Sequence, residues 1–342
     1  MSLTSNSVSH LSSFKNRAVL IKPKFSLKLF KLLACLTAFV QPVYAQDQSR
    51  TLHFPSGKPI GVIFVGNDKV NFGHFAPYRR VAGASGTLSL HVPTGQRVLF
   101  EANRRVFENP ACLDLVSPEG LDVLRIGLIS LDDKEDGMCD KALEHAVHFQ
   151  GIEEVDIDHS EATDKGIARL KSIPSLQGIS CTMSSINGSC FKQLATLPAL
   201  KAMWVSHCSL DQKNLEYLKD FPKLELLDLG RTHLNIVGTR GLILCKNIRA
   251  LSVRGNQDFD DSCLSLLCSM RNLNFLDLRE THVTVAGVKR LHALKLSVLQ
   301  LPLTLTDNLT ELRKVFPLTK VSALDSRKSV NAERKEMYAP LK

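Results

Sequence analysis

Apolar residues in the second half of the chain recur with two superposed periods. From Ile152 onward the phrase L-x-x-L-x-L-x-x-(small polar)-x-(apolar) returns six times. The copies are IEEVDIDHSEA at 152, LQGISCTMSSI at 176, LKAMWVSHCSL at 200, LELLDLGRTHL at 224, IRALSVRGNQDF at 248 and LNFLDLRETHV at 273. A looser copy, LSVLQLPLTL, begins at 296, and a weaker one, LDVLRIGLISL, begins at 121. From 152 to 296, successive copies start 24, 24, 24, 24, 25 and 23 residues apart. A period of this length is the mark of a solenoid, because one such unit cannot bury its apolar face alone and must stack on its neighbours. Within each unit L-x-L alternates as a strand does, whereas DKGIARLKSIP and QKNLEYLKDFP space their apolar residues as a short helix does. The pattern predicts an α/β solenoid: a parallel sheet on one side, short helices on the other, and the leucines between them.

These phrases resemble the leucine-rich repeat, over about Leu121 to Asp325. Thr281, Val283, Thr284 and Gly287 are similar to the T-x-(I/V)-T-D-x-G-L variant of bacterial leucine-rich repeats and to the cysteine-containing class, although the aspartate of that phrase is missing here. The resemblance implies a concave sheet surface used for binding. It also implies that the ninth residue of each unit, Ser160, Ser184, Cys208, Thr232, Asn256 and Thr281, turns inward to hydrogen-bond the backbone. In this register Cys181, Cys190, Cys208, Cys245 and Cys263 take packing positions, as small hydrophobes. No CxxC and no zinc-ligand spacing occurs, and whether Cys112 and Cys139 pair is left open.

The two ends read differently. Residues 46–120 carry short extended phrases, GVIFV, GTLSLHV and RVLFEA, and are expected to form a β-rich N-terminal cap over the exposed end of the array. Residues 121–325 are the repeat array, and 326–342, charged and poor in large apolar residues, are expected to be a disordered tail. Residues 1–45 have the order of a secretory signal: six bases without an acid, the apolar run Leu32 to Val40, then Val43-Tyr44-Ala45, with cleavage expected after Ala45. The run is too short for a transmembrane span. Leu32-Leu33-Ala34-Cys35 offers a competing lipid-anchor site at Cys35. The formal charge of +9 falls with the leader, leaving 37 bases against 34 acids, so the field expected of a nucleic-acid binder is largely absent.

Function is sought on the residues between the leucines, which point to the concave face. Glu154, Asp156, Asp158 and His159 open the array as an acidic patch; Met183, Trp204 and His207 follow; Arg231, Arg249, Arg254 and Arg279 form a basic patch on later strands. Trp204, the only tryptophan, is expected to be an exposed anchor at the centre of a binding surface. No phosphate-binding, zincin, nucleophile-elbow or dinucleotide motif is present. The expectation is an exported, non-enzymatic protein whose concave face binds another protein or a surface polymer, without cofactor or metal. Two alternatives stand beside it: a ligand- or metal-binding protein or enzyme using Asp156, Asp158, His159 and His207, and a substrate-receptor subunit of a degradation complex.

Overall fold

The computed structural model describes residues 47–66, 78–129 and 135–323. The signal sequence, its cleavage at Ala45, the Cys35 anchor and the 326–342 tail all lie outside the described residues.

Five strands open the described part of the chain: β1 (Gln48–His53), β2 (Gly61–Gly66), β3 (Tyr78–Gly83), β4 (Thr87–Val92) and β5 (Arg97–Ala102). β1 and β4 pair antiparallel in a small sheet of their own, while β3, β2 and β5 pair antiparallel and continue into the main sheet. The N-terminal region is therefore built onto the array by backbone hydrogen bonds. The repeats then contribute short strands: β6 (Val123–Arg125), β7 (Glu154–Asp156), β8 (Ser160–Thr163), β9 (Gly178–Ser180), β10 (Ser184–Ser185), β11 (Ala202–Trp204) and β12 (Leu226–Asp228). They end with β13 (Ala250–Ser252), β14 (Phe275–Asp277), β15 (Val298–Leu301) and β16 (Lys320–Ala323). The main sheet has twelve strands in the order β16-β15-β14-β13-β12-β11-β9-β7-β6-β5-β2-β3, and every pairing from β5 to β16 is parallel. This is the leucine-rich-repeat solenoid that the periodicity predicts.

The register explains the core. The first, fourth and sixth residues of each unit, such as Leu224, Leu227 and Leu229, are buried in one continuous core. Short helices follow the strands, each started by a side-chain cap where the sequence supplies one: Thr163, Asn235, Asp260 and Thr284 accept hydrogen bonds from the first-turn N–H groups. Among the described residues no helix is long and apolar enough to cross a membrane.

The ninth residues do turn inward. The hydroxyls of Ser160, Thr232 and Thr281 donate to the carbonyls of Ile157, Leu229 and Leu278 at 2.8, 2.8 and 2.6 Å. Asn256 accepts from the N–H groups of Thr232 and Leu234 and donates to the carbonyls of Leu229 and Val253. The Cys208 thiol donates to the Cys181 carbonyl at 3.1 Å. All eight cysteines among the described residues are free, Cys112 and Cys139 among them. Burial pushes the thiols of Cys208 and Cys245 up to about 11, which leaves them protonated and poor nucleophiles.

A second ladder ties the helix starts together. The carboxylate of Asp140 accepts from the N–H and hydroxyl of Thr163, and Asp261 does the same for Thr284, one repeat later in each case. A Cβ on Gly166 or Gly287 would stand 2.2 or 2.0 Å from that aspartate oxygen. The small residue of one repeat is thus matched to the acid of the repeat before it.

Candidate functional site

The third, fifth and seventh residues of each unit face away from the helices, as the alternation requires, but most are not exposed. Adjacent strands stand about 4.8 Å apart, so a large side chain on one strand lies over a small one on the next. Trp204 has Gly178 and Ser180 on the strand before it and Leu226 and Asp228 on the strand after. It is fully buried and belongs to a second apolar cluster, separate from the main core, with Ala202, Leu226, Ala250 and Phe275. The expectation of an exposed aromatic anchor is therefore overturned: the indole holds together the open face of the sheet.

The acidic patch is likewise not a free negative field. Arg97 of β5, 4% exposed, pairs with Glu154 at 2.6 Å and with Glu153 at 3.3 Å. Arg125 of β6 pairs with Asp156 at 2.9 Å and with Glu101 at 2.6 Å. Asp158 accepts from the Ser180 hydroxyl and from the N–H of Thr182. Glu154, Asp156 and Asp158 are all buried, committed to partners that the strand register brings beside them. The N-terminal strand β5 supplies Arg97 and the first repeat strand β6 supplies Arg125, so ion pairs cross from the N-terminal strands into the repeats.

The basic patch divides in the same way. Arg279, buried, pairs with Asp277 of its own repeat through two nitrogens, at 2.9 and 2.6 Å. Arg249 pairs with Glu225 at 3.3 Å, and Arg231 and Arg254 both reach Glu280, at 2.6 and 3.0 Å. Of these, Arg231 keeps the most exposed side chain.

The eighth residue of each unit is the most consistently accessible position. His159, Met183, His207, Arg231, Gly255 and Glu280 occupy successive turns, all at positive φ between 52° and 72°. The N–H of each donates to the carbonyl just before the next: His159 to Thr182, Met183 to Ser206, His207 to Gly230, Arg231 to Arg254 and Gly255 to Arg279, at 2.8 to 2.9 Å. This hydrogen-bond ladder holds the left-handed conformation, which an isolated non-glycine residue disfavours. His159, Met183, His207 and Arg231 are exposed and form a continuous ridge along the strand ends. Partial burial first, then the charge of Arg231, lower the pKa of His207.

The proposed Asp/His constellation is therefore split. Asp156 and Asp158 are buried in pairs on the sheet, whereas His159 and His207 stand on the ridge. Among the described residues no three of histidine, cysteine, aspartate and glutamate come together to hold a metal ion. Sequence reasoning missed the ridge as a structural class, since only Gly255 among its members announces a positive φ. It missed Arg97 and Arg125 as well, although both follow the alternation of their strands.

No protein-family model matches the chain, and no curated protein matches it. Among solved structures it is similar to internalin C2 of Listeria monocytogenes, at 18% identity over 56% of this chain and 79% of that one, with a TM-score of 0.38. It is similar also to internalin F of the same organism, at 15% identity over 61% of this chain, with a TM-score of 0.40. The chain spans about 62% of the internalin F structure's length. Likeness at this level concerns the repeat fold alone, which the strand register establishes on its own terms.

Proposed function

We propose that the protein is an exported, non-enzymatic binding module whose working surface is the ridge of eighth-position residues bordering the open face of the sheet. The observation that carries this reading is the row His159, Met183, His207 and Arg231: exposed side chains of mixed chemistry, held in one backbone conformation by a continuous hydrogen-bond ladder. A preorganised row loses little freedom on binding, and Met183, 49% exposed, supplies an adaptable apolar contact. The partner class is another protein or a surface polymer. Export rests on the leader's order of charge, apolar run and small residues.

The buried Trp204 is a poor probe of this surface, because its removal would leave a cavity in the apolar cluster on the open face. Met183→Asp and His207→Asp are the better variants, with Leu244→Asp on the helix side as control; Leu244 is 46% exposed. Affinity capture from the native envelope fraction, read by quantitative mass spectrometry, should retain a partner with wild type and Leu244→Asp and lose it with the two ridge variants. A partner lost only with Leu244→Asp would place the working surface on the helices instead.

A further inference from the structure

The arginines on the open face of the sheet are paired with carboxylates, but the cations on one rim of it are not. The ridge runs along the C-terminal ends of the strands, and the turns that lead into the strands form the opposite rim. Consecutive repeats place Lys201, Lys223, Lys246, Arg271 and Lys295 there, each one or two residues from the first apolar residue of a unit and each exposed. Among the described residues none of these makes an ion pair. Parallel pairing sets Ala202, Leu226, Ala250, Phe275 and Val298 side by side, so the turns before them stack at about 4.8 Å per repeat. The turns are also tied to one another. The Asn247 amide donates to the Pro222 carbonyl at 3.0 Å, and that of Asn272 donates to the Lys246 carbonyl at 2.9 Å. Of the acids on this stretch of the rim, Glu225 is engaged by Arg249 at 3.3 Å and Asp220 follows the equally exposed Lys219. The cations form a spread row, one per repeat.

We propose that this rim is a track for an acidic polysaccharide with about one sulfate or carboxylate per sugar, laid across the repeats from Lys201 to Lys295. A small anion needs converging donors, whereas evenly spaced cations match a linear polymer with evenly spaced charges. A pyranose unit advances its chain by about one strand spacing, so one sugar faces each repeat. An open recess of about 320 Å³ lies within the row, lined by Pro222, Lys223, Glu225, Asn247, Arg249 and Asn272, and its amide groups suit sugar hydroxyls. An extended acidic peptide presents carboxylates on one side only at every second residue, about 7 Å apart, and falls out of step with the row. The turns that carry the row expose no aromatic or large apolar side chain from Lys201 to Lys295. They therefore offer neither the stacking platform of a single-stranded nucleic-acid site nor the apolar anchor of a membrane surface. The inference does not rest on the ridge, which lies at the other ends of the strands.

The test is a titration of fluorescently labelled chondroitin sulfate with the purified full chain, read by anisotropy. Wild type should bind, and added salt should weaken the complex steeply. Combining Lys223→Gln, Lys246→Gln and Arg271→Gln should weaken binding by about tenfold. Combining Lys165→Gln, Lys192→Gln and Lys213→Gln removes the same charge from exposed positions on the helix side and should retain binding. Both variants keep the bases of the leader and tail, so those cancel in the comparison, and circular dichroism checks the fold. Met183→Asp, on the ridge, should leave affinity unchanged. Unlabelled polyglutamate and duplex DNA, at equal charge concentration, should displace the probe less well than unlabelled chondroitin sulfate. Absence of binding, equal losses in the two triple variants, or displacement by polyglutamate or DNA as effective as by the polysaccharide would each overturn the proposal.

Discussion

Asn256, 1% exposed, makes four backbone hydrogen bonds, three to the repeat before it and one to Val253 of its own. Truncation to alanine leaves two N–H groups and two carbonyls without that partner in the interior. At about 1 kcal/mol or more for each, Asn256→Ala should destabilise the fold by about 3 kcal/mol or more, read as a lowered urea midpoint. The ninth-position role was legible in the sequence because a small polar type recurs there at fixed spacing. The burial of Trp204, Asp156 and Asp158 was not, because it depends on the size and charge of the residue beside each on the neighbouring strand. His207 carries a pH consequence. Its pKa is lowered in the folded chain, so protonation favours the unfolded chain. The stability it contributes is full above the ordinary histidine value of about 6.5 and is lost as pH falls through the folded value. Urea titrations of wild type should lose more stability between neutral and mildly acidic pH than those of His207→Asn; equal losses would contradict the role given to His207.

At the scale of the element, the helix starts at Thr163 and Thr284 are each stapled to an aspartate of the repeat before. Asp261 accepts from both the N–H and the hydroxyl of Thr284, and Gly287 leaves the room that the carboxylate needs. Gly287→Ala should therefore destabilise wild type but cost much less once Asp261→Ala has removed the obstructing oxygen. A double-mutant cycle by denaturation should give a coupling of about 1 kcal/mol or more, and strict additivity would show that the two residues do not share this space. The repeat phrases made strand and helix legible element by element, since the period-two and helical spacings stand side by side in each unit. The pairing of β5 with β6 was not legible: RVLFEA reads as a strand, but its partner is chosen by the register that sets Leu99 opposite Val123 and Glu101 opposite Arg125. That pairing brings Arg97 within reach of Glu153 and Glu154, and the pairing of β6 with β7 sets Arg125 opposite Asp156.

Over the described molecule, the sheet continues at its N-terminal end into antiparallel strands whose apolar residues join the common core and whose Arg97 pairs with Glu153 and Glu154. The open face is a self-satisfied surface of packed apolar groups and ion pairs. The ridge at the strand ends carries exposed side chains of mixed chemistry in one row. The solenoid itself was legible from periodicity, because a stacked repeat writes its core into the sequence once per unit. The location of the accessible surface was not, because it turns on a backbone conformation shared by His159, Met183, His207, Arg231 and Glu280, residue types that carry no common signal. The most direct test of the ridge as working surface is photocrosslinking in cells that make the protein, with a photoreactive amino acid placed at position 183, at position 207 or, on the helix side, at position 244. The ridge positions should give a discrete higher-mass adduct in the native envelope and position 244 should give none. Adducts at 244 with none at 183 or 207 would contradict the assignment of the binding surface to the ridge.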